Sequence, residues 1–359
     1  MNIAKELETI SQLKNENLEY LKKSDLPLIL LGIAELGHAV KCFLDENNIK
    51  INYVAVDKEY WQPDMKFYNF DVQVLEDILL DNSKVNIIVT FSSGKYLEKI
   101  SQLNKLQNVQ RCMFFDVFPL FDFVNQPGSS FVDLYSNLTD DLSRQTMLEF
   151  MKAKNLKTAE QLMKLNVANE LQYFPDFLPL SDNETFVDCG AYIGDTIETF
   201  LNKINNKYNK IFAFEPDSSN AKNARKLLMK AARGGEGITM IEKGAWSKKD
   251  TLYFNNSGSS GSSISESGEV KIEVDSIDNV CENENVTFIK MDVEGAELEA
   301  LKGAKNTIMK NKPKLAICVY HKKEDLVTIP QYILSLNSDY KLYLRHYDSF
   351  CTELVLYAV

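Results

Sequence analysis

The chain is poor in residues that bind metal or cross-link a fold. Among 359 residues there are three histidines (His38, His321 and His346) and six cysteines (Cys42, Cys112, Cys189, Cys281, Cys318 and Cys351), with no CxxC pair. That scatter offers no zinc-ligand cluster. It also lacks a disulfide framework, and it fits the buried, reduced thiols of a cytoplasmic protein. No apolar run approaches the roughly 20 residues that cross a bilayer, so no membrane span is expected. The N-terminus, MNIAKELETISQLKNENLEY, is charged and helical in pattern rather than a secretory signal. Basic residues are outnumbered, 40 Lys and Arg against 51 Asp and Glu, for a net charge of −11. That balance argues against a nucleic-acid backbone as the main partner. The dinucleotide fingerprint GxGxxG is missing as well.

What remains is an ordinary globular composition, 45% hydrophobic and 25% charged, on a chain long enough for two domains. Its organising stretch is residues 185–217, TFVDCGAYIGDTIETFLNKINNKYNKIFAFEPD. Thr185-Phe186-Val187 is a short β-favouring run that stops at Asp188. Gly190 and Gly194 bracket a tight turn, Cys189 to Asp195. Ile197, Phe200 and Leu201 recur at helical spacing, and Ile211 to Phe214 is a second β-like run ending on Glu215. Strand, glycine turn, helix, strand, acid is the order of a nucleotide-binding βαβ unit. Glycine lets the backbone turn sharply and lets a ligand approach. An acid at the second strand end can accept both hydroxyl hydrogens of a ribose in a charge-assisted pair. Carboxylates crowd this turn on both sides. They would repel a pyrophosphate and suit a cation carrying an amine and a sulfonium, which is S-adenosylmethionine (SAM).

The blocks VDCGAYIGDT, FEPD and IKMDVEGAELEALKGA, in that order, resemble the signature of FkbM-type SAM-dependent methyltransferases over about residues 181–359. The resemblance implies a class I methyltransferase fold: a Rossmann-like seven-stranded α/β sheet with a terminal antiparallel pair. It implies that the turn Asp188, Gly190, Ala191, Tyr192, Gly194, Asp195 and Thr196 holds the methionine part of SAM, and that Glu215, followed by Pro216, holds the ribose. Gly244, Ala245 and Trp246 would flank the adenine, although Trp246 also reads as simple core. Asp292 would lie near the amine and the methyl group. The implied acceptor is a hydroxyl on a sugar, glycan precursor or secondary metabolite.

In chain order, residues 1–25 read as an amphipathic helix with apolar positions Ile3, Leu7, Ile10, Leu13 and Leu21. Docking onto the rest of the chain and self-association into a homo-oligomer both fit it. Residues 26–128 read as a smaller Rossmann-like α/β domain: Leu28–Leu31, then a Gly32 to Gly37 turn into a helix through Glu46, then Ile51–Val56 ending at Asp57. Later strands are expected at 85–90, followed by Phe91-Ser92-Ser93-Gly94, and at 113–118. Its turn is GxAxxG, with alanine where the dinucleotide motif has glycine. Residues 129–180 read as a helical connector, with helices at 142–154 and 158–166, or as a lid over the pocket. The methyltransferase domain follows at 181–359. Within it, 252–255 and 270–274 pair as a hairpin around a serine-glycine stretch, 257–263, that reads as a flexible tip or a flap over ligand.

Ligands of open α/β sheets bind beyond the carboxyl ends of the strands. Asp188, Glu215, Gly244, Asp292 and His321 all fall at expected strand ends and would share one edge. Methyl transfer needs alignment and removal of one proton, and histidine suits proton removal near neutral pH. His321 is the expected base or acceptor-orienting residue, with Asp292 beside it and a purely structural histidine as the alternative. His346 is expected near the pocket rim. Asp292, Glu294 and His321 could together hold a divalent ion, but Asp-x-Glu alone is not a metal motif, so no metal is expected. Two other classes stay open: a nicotinamide-dependent enzyme acting through the N-terminal domain, and a non-catalytic protein that kept the SAM fold.

Overall fold

The computed structural model describes residues 2–91, 96–117, 123, 128–231, 235–254 and 270–359. The serine-glycine stretch 257–263, the Ser92-Ser93-Gly94 segment and Phe118 lie outside the described residues. The chain divides into two compact units. One comprises Met1–Gln126, Leu148–Lys164 and Ser349–Thr352; the other comprises Pro127–Met147, Leu165–Asp348 and Glu353–Val359. The chain therefore passes between them more than once.

In the first unit the described strands are β1 (Leu28–Leu31), β2 (Tyr53–Val56), β3 (Lys66–Phe67), β4 (Phe70–Val74), β5 (Val85–Val89) and β6 (Val109–Phe114), in the order β3-β4-β2-β1-β5-β6. All pairs except β3–β4 are parallel. Leu28–Leu31 and Val85–Val89 are buried throughout, as central parallel strands covered on both faces must be. The last strand begins at Val109, earlier than the expected 113. The expected single N-terminal helix is two, Ile3–Ser11 and Glu16–Leu21. Asn15 ends the run: it is extended and its side chain accepts from Leu18 N, capping a new helix. The helix expected at 158–166 is only a 3-10 turn, Leu162–Leu165. Lys157 breaks the pattern in a left-handed conformation, φ 53°.

In the second unit the large sheet contains β7 (Thr185–Cys189), β8 (Lys210–Phe214), β9 (Ile238–Ile241), β13 (Phe288–Met291), β14 (Lys314–Cys318), β15 (Leu342–His346) and β16 (Leu354–Ala358). Its order is β15-β16-β14-β13-β7-β8-β9. β16 alone runs antiparallel to its neighbours, β14 and β15. A smaller sheet orders β10 (Gly244–Ala245), β12 (Val270–Asp275) and β11 (Asp250–Phe254), with β11 and β12 paired antiparallel as expected. Phe186 stacks on Phe288 across β7 and β13 at 4.8 Å between ring centroids, and Phe174 and Phe200 close on them. This is the class I methyltransferase sheet. The strand order reverses at β7, so the crevice between β7 and β13 is the place where a ligand can enter.

Candidate active site

At that crevice the backbone of the first turn touches the end of β13. Gly190 has φ 81°, and a Cβ there would lie 1.8 Å from the carbonyl oxygen of Asp292. Only glycine fits. The amides of Gly190 and Ala191 both donate to Phe214 O, at 3.0 and 2.9 Å. The turn is also fixed from below. Lys290, on β13, is buried and donates from Nζ to Gly190 O at 2.8 Å, while Asp188 Oδ1 lies 3.1 Å from the same ammonium. Burial lifts the Asp188 carboxyl to about 6 against the pull of Lys290, with Asp195 and Asp292 adding to the lift. Burial works against the Lys290 charge, yet Asp188 and Asp292 hold the ammonium above its ordinary value.

Above this floor opens a cavity of about 1180 Å3, large enough for a nucleoside ligand and an acceptor together. Of the expected ligand-binding residues, Gly190, Tyr192, Asp195, Thr196, Glu215, Pro216, Gly244, Ala245, Trp246 and Asp292 line it. Asp188, Ala191, Gly194 and His321 are not among its lining residues. Asp188 and Ala191 are fully buried, and Asp188 acts through Lys290 on the turn. Gly194, φ 92°, packs against Ala224 and Leu228. Glu215 is buried and held by two backbone amides, Tyr192 N to Oε2 at 2.9 Å and Asp217 N to Oε1 at 3.0 Å. Burial raises its carboxyl pKa, and those amides oppose the rise. Each of its oxygens keeps accepting capacity for a ligand hydroxyl.

The acidic block after β13 folds back on itself. Buried Glu297 accepts from Val293 N at 3.0 Å and Gly295 N at 3.4 Å, so it closes the loop at its helix N-terminus. His321 Nδ1 lies 2.9 Å from Glu297 Oε1, and its Nε2 lies 3.6 Å from both Asp292 and Glu294. Burial would lower the imidazole pKa, but the Glu297 hydrogen bond and charge, then Asp292 and Glu294, raise it to about 9. The surrounding acids thus favour the protonated, imidazolium form of His321. That charge suits the orienting role expected of it, between Asp292 and Glu294. Asp292, Glu297 and His321 form the one group of three metal-capable donors among the described residues, with donor atoms within 4.8 Å. An ion there would have to displace the imidazolium proton. His346 is fully buried, with Nδ1 2.5 Å from Asn166 Oδ1, and is not a lining residue.

Several residues of this edge escaped the sequence reading. Tyr173, φ 65°, donates from its hydroxyl to Asp292 Oδ2 at 2.9 Å. Gln172, Tyr320, Lys322 and Glu353 also line the cavity. Tyr173 sits in the aromatic and proline-rich approach to the domain, and that composition was its only signal.

Residues 188–346 match the family model described as the Methyltransferase FkbM domain. The solved structure of a methyltransferase FkbM from Methylobacillus flagellatus KT aligns over 99% of this chain and 97% of its own, at 24% identity and a TM-score of 0.79. The fold is thus shared along nearly the whole of both chains. A putative methyltransferase from Streptococcus mutans, in complex with SAH, aligns over 51% of this chain and 93% of its own, at 14% identity and a TM-score of 0.34. A putative rRNA-methylase from Clostridium thermocellum aligns over 56% and 91%, at 10% and 0.33. No curated protein matches the chain. No helix among the described residues is long and apolar enough to cross a membrane.

Proposed function

From the FkbM methyltransferase domain at residues 188–346, we propose that the protein transfers the methyl group of SAM to a hydroxyl of a sugar, glycan precursor or secondary metabolite. The observation that carries this reading is the cavity at the β7–β13 crevice, floored by glycine backbone and rimmed by Asp195, Glu215, Asp292 and Glu294. A lining so rich in carboxylates disfavours a pyrophosphate and favours a cationic ligand. The donor set fits SAM: glycine backbone for close approach, a buried acid for a diol, and a further acid for an ammonium.

SAM supplies an activated methyl on a sulfonium. The chain's own residues do the rest. Glu215, fixed by Tyr192 N and Asp217 N, accepts the two ribose hydroxyls. Lys290 and Asp188 set the height of the Gly190 turn. Asp292, oriented by Tyr173, receives the amine. His321, with Nε2 3.6 Å from both Asp292 and Glu294, offsets the repulsion between these two carboxylates. Trp246 and Pro216, both on the lining, border the base. Catalysis of this kind is largely alignment.

Calorimetric titration with SAM, S-adenosylhomocysteine and NAD in parallel tests the reading. Micromolar binding of the first two and none of NAD is expected. NAD binding alone would overturn it and move the site to the first unit.

A further inference from the structure

The last strand of the large sheet reverses a rule that the rest of the edge obeys. Parallel strands bring their final residues to the ligand, but β16 is antiparallel to β14, with Val355 opposite Cys318. It therefore brings its first residues to that edge. Val319 N donates to Leu354 O at 3.0 Å, which sets Glu353 beside Tyr320 at the mouth of β14. Glu353 lines the cavity. Its backbone is left-handed, φ 48°, a conformation that costs a non-glycine residue roughly 1–3 kcal/mol and recurs at functional sites. Tyr320 donates to Oε1 at 3.2 Å and Gln172 donates to Oε2 at 2.5 Å.

Of the other lining acids, Glu215 is tied to backbone amides, Asp292 lies against Tyr173 and His321, Asp195 opens the helix after the glycine turn, and the Glu294 side chain is 71% exposed. Glu353 differs. Among the described residues no lysine, arginine or histidine is recorded within ion-pair distance of it, and its two partners are neutral donors that fix its direction and leave lone pairs on both oxygens. Facing it are Asp292 after β13, Cys318 and Tyr320 at the end of β14, Gln172 and Tyr173 on the approach segment, and Asp348 in the β15–β16 connection. Burial first, and then the Asp292 charge, raise its carboxyl pKa.

We propose that the Glu353 carboxylate takes the proton of the acceptor hydroxyl during methyl transfer, with Tyr320 and Gln172 as its positioning residues. This rests on the methyltransferase reading above. The acceptor oxygen forms the new O–CH3 bond as the S–CH3 electron pair returns to sulfur, and the hydroxyl proton passes to Glu353. The products are the methyl ether, S-adenosylhomocysteine and a neutral glutamic acid, which then releases its proton to solvent.

The test uses the sulfonium as a probe of distance, and it needs no acceptor. SAM and S-adenosylhomocysteine differ only in the methyl and its positive charge. A carboxyl close to that charge becomes more acidic and releases protons on binding. Calorimetry in buffers of different ionisation enthalpy, between about pH 5 and 7, should show larger proton release with SAM than with S-adenosylhomocysteine. Glu353→Gln should cut this excess by at least half while leaving SAM affinity within about threefold. Asp188, at about 6, and Asp325, at about 7, also titrate in this range, and the variant leaves their contribution in place. Turnover of methyl hexopyranosides by Glu353→Gln should fall by about 10²–10⁴-fold, with Glu353→Asp recovering part of it. An excess reduced by less than half in Glu353→Gln would overturn the assignment, as would turnover within threefold of wild type. Failure of the wild type to bind SAM at all would instead sink the methyltransferase reading.

Discussion

The two units carry the same arrangement, a parallel α/β sheet with a glycine turn after the first strand and an acid after the second, and they use it differently. In the first unit the turn is filled from inside. A Cβ on Gly32 would meet Thr90 Oγ1 at 2.8 Å, and one on Gly37 would meet Gly32 O at 2.7 Å. Thr90 donates to Leu31 O or Gly32 O, at 3.0 and 2.8 Å. Asp57, the acid after β2, is paired to Lys99 at 2.6 Å. In the second unit Gly190 and Glu215 face an open cavity, and no side-chain cation is paired to Glu215 among the described residues. The βαβ grammar specifies a fold. A site additionally needs the glycine's space and the acid's lone pairs to be left for a ligand.

The sharpest way to break this contrast is to put a methyl group on each turn. Gly190→Ala forces a Cβ to within 1.8 Å of Asp292 O, so the crevice must open. SAM affinity should fall by roughly 100-fold or more, about 3 kcal/mol. Gly32→Ala also has φ above zero, 116°, and should cost about 1–3 kcal/mol of stability while leaving SAM affinity unchanged. Calorimetry and thermal melting separate the two. Equal affinities for Gly190→Ala and wild type would erase the distinction between the turns.

The second test is the floor. Lys290→Met removes the cation from beneath Asp188, which is fully buried. Breaking one partner of a buried pair costs about 3–5 kcal/mol. Denaturant unfolding should show that loss, and Lys290→Met with Asp188→Leu should recover part of it. A loss under 1 kcal/mol would mean that the pair does not hold the turn.

The third asks how far charge, rather than packing, holds the edge of the second unit. The folded state raises His321 from 6.5 to about 9. Stabilisation from that shift is complete below pH 6.5 and is lost as pH rises through 9; it is on the order of 3 kcal/mol. Asp188 and Asp325 are raised carboxyls, so they also favour the folded state less as pH rises, but mainly below pH 7. Unfolding free energy should therefore fall more between pH 6.5 and 9 in wild type than in His321→Gln. Parallel curves would remove His321 from the charge balance.

Sequence made the strand ends legible because periodicity and glycine placement are local signals. Gly190, Glu215 and Asp292 are legible that way, Trp246 only through the family resemblance, and all four line the cavity. Two kinds of residue stayed hidden. Lys290 sits in an apolar strand, and only the register of β13 on β7, Lys290 opposite Asp188, reveals its partner. Glu353 precedes a strand, and a search of strand carboxyl ends passes over the residue that an antiparallel neighbour delivers by its start. The acidic surroundings of His321 stayed hidden for a related reason. Glu297, the acid that raises its pKa most, approaches from a separate helix, and Asp292 and Glu294 from the loop before that helix.

The smallest expected effects come from the two acids that the sequence places in equivalent positions. Glu215→Ala removes a carboxylate proposed to bind a diol, and charged hydrogen bonds contribute about 1.5–3 kcal/mol. SAM affinity should drop by roughly 10–150-fold, with little change in melting temperature once the SAM-free proteins are compared. Asp57→Ala breaks a partly exposed pair with Lys99, in which both side chains are about a quarter exposed, so it should cost no more than about 1 kcal/mol of stability and leave SAM affinity untouched. NAD affinity, expected to be absent in wild type, should also be absent in this variant. If Asp57→Ala weakened nucleotide binding as Glu215→Ala does, the acid of the first unit would be a ligand group too, and the filled Gly32 turn would have to open to admit its ligand.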